Sequence, residues 1–107
     1  MGAEKRQFDR KDFELPLRVE VGAETLDGVT SNLSLGGARV DIPKAMTFGT
    51  KVKVHVRLPA LAEESVVEAE VRWCQPGEAG RFFVGLQFLR VRARETWALN
   101  QLVRPPT

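Results

Sequence analysis

Polar and apolar side chains alternate with period two along most of this chain, the pattern of strands that bury one face. In Leu15-Pro16-Leu17-Arg18-Val19-Glu20-Val21 the odd positions are apolar, and polar side chains or Pro16 occupy the even ones. Residues 51–58 repeat the pattern, with Val52, Val54, Val56 and Leu58 on one face and Lys51, Lys53, His55 and Arg57 on the other. Val67, Ala69, Val71 and Trp73 alternate with Glu68, Glu70 and Arg72. Shorter strands are predicted at 25–31 and 38–42, and another at 81–89. Turn residues mark the breaks: Gly22, Gly36-Gly37, Pro43, Gly49, Pro59 and Pro76-Gly77. Strands at fairly even spacing, joined by short turns, predict an all-β domain closed into an antiparallel barrel, because closure removes exposed edges. Only residues 91–103 carry helical spacing. Ala93, Trp97, Ala98 and Leu102 fall on one face there, Pro105-Pro106 forbid continuation, and the stripe is expected to plug a barrel end or pack on its wall.

A chain of 107 residues supports one hydrophobic core. The expected organisation is a single domain over 1–107: a flexible arm at 1–14, the barrel at 15–90 and the helix at 91–103. Apolar residues make up 43% and charged residues 28%, as in ordinary globular chains. No apolar run approaches the ~18–20 residues that cross a bilayer. The first residues, MGAEKRQFDRKDFE, lack the apolar stretch of a secretory signal, and Arg6 stands where a myristoylation signal needs Ser or Thr. The expected compartment is the cytoplasm. Cys74 is the only cysteine and His55 the only histidine, which excludes an internal disulfide or thiolate cluster and argues against zinc or iron. Neither an acid–base pair nor a nucleophile with its own base is evident, since a triad around Ser34 could draw only on His55; an enzyme is not expected. The formal charge of +2 suits an anionic partner without requiring one.

Two constellations carry chemistry. The first is Arg6-Gln7-Phe8-Asp9-Arg10, two arginines four apart in a charged arm that has little to bury and is expected to move freely alone. A guanidinium fork clamps phosphate with two parallel hydrogen bonds, reads O6 and N7 of guanine, or stacks on a base. The second is Asn32-Leu33-Ser34-Leu35-Gly36-Gly37 at a strand end. Asn and Ser supply short polar side chains, and the glycine pair permits positive φ and uncovered backbone N–H groups, the makings of an anion-binding nest. Leu33 and Leu35 are expected to point inward. Either constellation alone is commonplace: a charged arm is usually a solvated one, and a Gly-Gly turn usually only a turn.

Together and in this order they resemble the signature of PilZ domains, bacterial receptors for cyclic di-GMP. That signature is R-x-x-x-R followed, roughly 20–30 residues later, by an Asp or Asn, a Ser two positions on, and glycines. The strand between the two parts, the segment GRFFVGLQF and the final helix are similar as well. The resemblance implies a six-stranded antiparallel barrel with a C-terminal α-helix and a ligand site on its outside. It assigns Arg6 and Arg10 to guanine and phosphate, Asn32 and Ser34 to hydrogen bonds with either, and Gly36 and Gly37 to close approach of the backbone. Asn32 replaces the commoner Asp, keeping an acceptor and losing a charge. Lys5 and Asp9 are further candidate contacts, and a basic residue at position 5 favours an intercalated pair of nucleotides over one. No cofactor or metal is expected beyond the nucleotide ligand. The implied partner is an unidentified downstream protein, with no nucleic-acid polymer and no membrane span, and the chain a monomer or homodimer.

Alternation places Trp73 in the core, with base stacking at the strand end as the minor alternative, and helical spacing places Trp97 in the core too. His55 is expected on the surface, Cys74 to be unreactive, and Arg90, Arg92 and Arg94 to form a solvated basic face. Two other readings stay open. One is a PilZ-like adaptor, as in type IV pilus or motility machinery, that works through protein contacts without nucleotide. The other, a small-barrel nucleic-acid binder, requires exposed aromatic platforms on the strands.

Overall fold

The computed structural model describes residues 14–103; the arm before Glu14, with Lys5, Arg6, Asp9 and Arg10, lies outside the described residues, as do residues 104–107. Six antiparallel strands follow one another: β1 Leu15–Val21, β2 Glu24–Leu33, β3 Gly37–Ile42, β4 Lys51–Val56, β5 Ser65–Pro76 and β6 Phe82–Arg90. They close into a barrel in the order β1-β2-β3-β6-β5-β4. Closure comes from β1 against β4, with Leu17 opposite Val56 and Val19 opposite Val54. The inward residues of the alternating runs, among them Val19, Val40, Val54, Val71 and Val84, fill the interior. Each such side chain contributes about 1.5–3 kcal/mol by leaving water. Gly22, with φ of 60°, makes the β1–β2 turn in the left-handed region that glycine enters without strain.

The ladders slip register at three places, Thr30/Asn32, Glu68/Ala69 and Val71/Trp73, and the first and last of these shape the outer face. In β2 the register against β3 shifts between Thr30 and Asn32, so that Thr30 and Leu33 both face the core and Asn32 faces out. The Thr30 hydroxyl fixes this geometry: it donates to the Arg39 carbonyl at 2.7 Å and accepts from the Asn32 N–H at 3.2 Å. In β5 the register against β6 shifts between Val71 and Trp73. Val71 is inside, Cys74 packs against the core, and Trp73 is thrown outward, 41% exposed. The expectation of a core Trp73 is therefore wrong: an inserted residue reverses which parity faces inward.

The helix, α1 Ala93–Val103, buries Glu95, Ala98 and Leu99. With the half-buried Leu102 these stand at i, i+3, i+4 and i+7, one face of a 3.6-residue period. The stripe expected from Ala93 and Trp97 is displaced. Ala93 is exposed and Trp97 is 53% exposed, while Leu99, 1% exposed, takes the core position. Glu95, at 2% exposure, is the unexpected member. Its carboxylate accepts a hydrogen bond from Ser65 Oγ at 2.9 Å and thereby ties α1 to the start of β5. Burial pushes the Glu95 carboxyl up, but hydrogen bonds from Ser65 and Arg94 outweigh it and hold the group below its ordinary value of 4.5. A folded-state value below the unfolded one gives stability that is complete above pH 4.5 and disappears as pH falls through the folded value. Ser65→Ala should cost about 1–3 kcal/mol at pH 7 by leaving a buried charged acceptor short of a donor. In urea unfolding the gap to the parent protein should narrow progressively as pH falls below 4.5 and Glu95 takes up its proton; a gap independent of pH would contradict this.

Candidate functional site

The bulges at Thr30/Asn32 and Val71/Trp73 bring chemistry together. Across four neighbouring strands Asn32 stands opposite Arg39, Arg39 opposite Gly85, and Gly85 opposite Trp73. These four positions form one row over the outer face of β2, β3, β6 and β5. Gly85 is buried although it points outward, because the Trp73 indole lies across it and a Cβ there would collide with the ring. A groove of about 490 Å3 runs along this row, lined by Asn32, Ser34, Gly37, Arg39, Arg72 and Trp73 with their neighbours.

At one end of the row lies the 34–36 turn. The Ser34 N–H donates to the Gly37 carbonyl at 2.9 Å, and Ser34 Oγ accepts from the Gly36 N–H at 3.2 Å. The Gly36 carbonyl in turn accepts from the Phe88 N–H at 2.9 Å. The turn is thus pinned to itself and to β6, with Ser34 and Asn32 both exposed. Three sequence expectations need correction here. Leu35 is 43% exposed rather than inward. Neither Gly36 nor Gly37 adopts positive φ, the positive-φ glycines being Gly22, Gly49 and Gly80. Nor is the Gly36 N–H left uncovered. The glycines serve separate purposes: a Cβ on Gly37 would run into the Leu86 carbonyl oxygen of β6, whereas one on Gly36 would meet nothing within 4 Å.

Charge distinguishes this groove from a larger one. A cavity of about 570 Å3 on the β1–β2–β4 side holds Arg18, Arg57, Arg81 and His55, but also Asp27 and Glu64. Arg18 pairs with Glu64 at 2.8 Å, Arg81 with Asp41 at 2.6 Å, and His55 Nε2 with Glu20 at 2.8 Å. The Arg18 hydrogen bond holds the Glu64 carboxyl below its usual range. His55 is accordingly half-buried, its Nε2 within hydrogen-bond distance of Glu20, and not the bare surface residue expected. The cations there are largely spent on carboxylates. No carboxylate lines the Asn32–Trp73 groove, and its two arginines lie over aromatic rings, Arg39 4.9 Å from the Phe83 centroid and Arg72 5.2 Å from that of Phe48. Arg72 also approaches Glu70 at 3.7 Å. A cationic groove with an indole wall and amide and hydroxyl donors can hold a phosphorylated planar base.

The sequence singles out Asn32, Ser34, Gly36 and Gly37; Asn32, Ser34 and Gly37 line the groove, and Gly36 lies in the adjoining turn. Sequence reasoning missed Arg39 and Gly85 and put Trp73 on the wrong side. At the helix start Arg92 and Arg94 approach Glu95, and Arg94 also Glu63, so these arginines are partly paired. Cys74 is half-buried, its Sγ accepting from the Met46 N–H at 3.4 Å. Among the described residues, no group of His, Cys, Asp and Glu is placed to hold a metal ion, and no helix is long and apolar enough to cross a membrane.

A family model described as the PilZ domain matches residues 4–104. The chain belongs to the PilZ domain family. PilZ domains are receptor and adaptor domains rather than enzymes. Solved PilZ relatives share the fold. The inhibitor of motility MotI/DgrA from Bacillus subtilis is similar at a TM-score of 0.69 and 25% identity, over 90% of this chain and 48% of its own. This chain thus spans about half the length of that protein. The PilZ domain of CeSA from a cellulose-synthesizing bacterium gives a TM-score of 0.59 at 24% identity, over 85% of this chain and 90% of that one. The PilZ domain of YcgR from Escherichia coli, solved with c-di-GMP, gives 0.63 at 16% identity over 88% of each chain. No curated protein sequence matches the chain.

Proposed function

We propose that this PilZ domain is a cyclic di-GMP receptor that reports nucleotide to a separate protein. The observation that carries the reading is a carboxylate-free cationic groove, bearing Asn32, Ser34 and an outward Trp73, beside the point where the arginine arm joins the barrel. Leu15, the first residue of β1, pairs with Thr30, two positions from Asn32. Arg10 is five residues before Leu15 and Arg6 nine, so at ~3.3–3.6 Å per residue both reach the groove. In this reading Arg6 and Arg10 clamp phosphate and guanine. Asn32 and Ser34 donate and accept along the base or phosphate edge, Trp73 stacks on a purine face, and Gly36 and Gly37 leave the turn low enough for close approach.

The signal is ordering of the arm. Fixing a residue costs about 1–2 kcal/mol, and charge-assisted hydrogen bonds at about 1.5–3 kcal/mol each, with stacking, offset several such residues. Residues 4–11 laid across the groove present a partner with a changed surface. The similarity to MotI/DgrA, named for inhibition of motility, and to a YcgR domain solved with c-di-GMP supports both halves of this reading.

Calorimetric titration with cyclic di-GMP tests it. Saturable binding at micromolar concentration or tighter is expected, with a stoichiometry of one or two that also reports what Lys5 favours. No heat and no saturation up to millimolar nucleotide would leave the adaptor reading, which works through protein contacts alone.

A further inference from the structure

Among the eight arginines of the described residues, most are already engaged by carboxylates: Arg18 by Glu64, Arg72 by Glu70, Arg81 by Asp41, Arg92 by Glu95, and Arg94 by Glu63 and Glu95. Arg39 has no carboxylate partner among the described residues. It is exposed in the middle of the Asn32–Arg39–Gly85–Trp73 row, and its backbone is anchored by the Thr30 hydroxyl, which donates to the Arg39 carbonyl at 2.7 Å. Its guanidinium rests over the Phe83 ring. A ring face orients the guanidinium plane through its quadrupole and leaves the five N–H donors at the edge free. Opposite neighbours in a ladder stand about 4.5–5.5 Å apart, so Asn32 and Arg39 meet the same part of any ligand. Gly85, next in the row, offers no side chain to fill the space between Arg39 and the indole.

We infer that Arg39 is a third phosphate-binding arginine, fixed on the barrel wall and held ready by Phe83. The inference rests on the nucleotide-receptor reading and deepens it. Arg39 is held on β3 in the barrel wall, and such a cation draws the dianion into the groove. Phe83 is a positioning residue: it touches no ligand and keeps the fork from folding back to a carboxylate.

The test is titration of the chain with cyclic di-GMP at several salt concentrations. Arg39→Ala should bind between about tenfold and a hundredfold more weakly, the range of one charge-assisted contact. Its affinity should also depend less steeply on salt, because one cation fewer meets the phosphates. Arg39→Lys keeps the charge and should retain the parent's salt dependence, with weaker affinity for want of the planar fork. A purely structural role would change thermal stability and leave the salt slope alone. Affinity within twofold of the parent for Arg39→Ala, or weaker binding with an unchanged slope, would overturn the inference while leaving the receptor reading intact. Failure of the parent itself to bind removes both.

Discussion

Arg6→Ala and Arg10→Ala should each weaken cyclic di-GMP binding by tenfold to more than a hundredfold, and the double variant should show no saturable binding at all. Each guanidinium is assigned charge-assisted hydrogen bonds of about 1.5–3 kcal/mol, and 1.4 kcal/mol is a factor of about ten. Each single loss should fall somewhat short of the bare contact energy, because an arm held at only one point is spared part of the ordering cost of the residues between the arginines, about 1–2 kcal/mol for each. Both arginines precede the first strand, so neither variant should alter the melting temperature of the free protein. Calorimetry and a thermal melt on the same samples check both statements. Parent-like affinity in the double variant would place the nucleotide somewhere the arm does not reach.

The largest effect on the fold is expected at Gly37. A Cβ at this position would collide with the Leu86 carbonyl oxygen, a backbone atom in the β3–β6 ladder that no rotamer change can move aside. Gly37→Val should therefore force the two strands apart at the site and cost about 4 kcal/mol, a large share of the 5–15 kcal/mol typical of a domain. For a domain of this size that corresponds to a fall in Tm of roughly 15–30 °C. Gly36→Ala is the contrast. Its Cβ would meet nothing within 4 Å and its φ lies outside the left-handed region, so Tm should stay within a few degrees of the parent. Equal losses for the two variants would show that the pair acts as one flexible turn.

That asymmetry illustrates what the sequence carries and what it hides. The strands of the barrel are legible because period-two alternation at Leu15–Val21 and Lys51–Val56 persists through the whole element. The helix is legible in place and length, though its buried face is rotated. The apolar set at 93, 97, 98 and 102 includes two residues from the solvent side, and the true face contains a glutamate that hydrogen bonds from Ser65 and Arg94 make compatible with burial. The site was half legible. Asn32, Ser34, Gly36 and Gly37 stand out as a motif, and the structure gathers them. Trp73 does not, because its placement depends on the bulge at Val71–Trp73, and Arg39 meets Asn32 only through the bulge at Thr30–Asn32; an extra residue in a ladder leaves no mark in the alternation except a broken parity. One signal was available: Cys74 continues the apolar run one position out of phase with Val71, which marks a parity change at Arg72. The outward Trp73 also removes part of the objection to a nucleic-acid binder, which rested on the aromatics being internal. A single indole over a glycine, in a groove lined on one row, still falls short of the successive platforms a polymer needs.

The account stands on the arm and the groove meeting in one pocket, and Trp73 can report their meeting directly. Trp97→Phe removes the only other tryptophan, which is half-exposed on the helix and away from the row, and leaves Trp73 as the sole indole emitter. Titrated with cyclic di-GMP, this protein should show a saturable change in Trp73 fluorescence, as stacking on a purine alters the indole's surroundings. The change should disappear when Arg6 and Arg10 are both replaced by Ala. Nucleotide binding detected by calorimetry with Trp73 emission unmoved would contradict the account, because the ligand would then lie outside the groove.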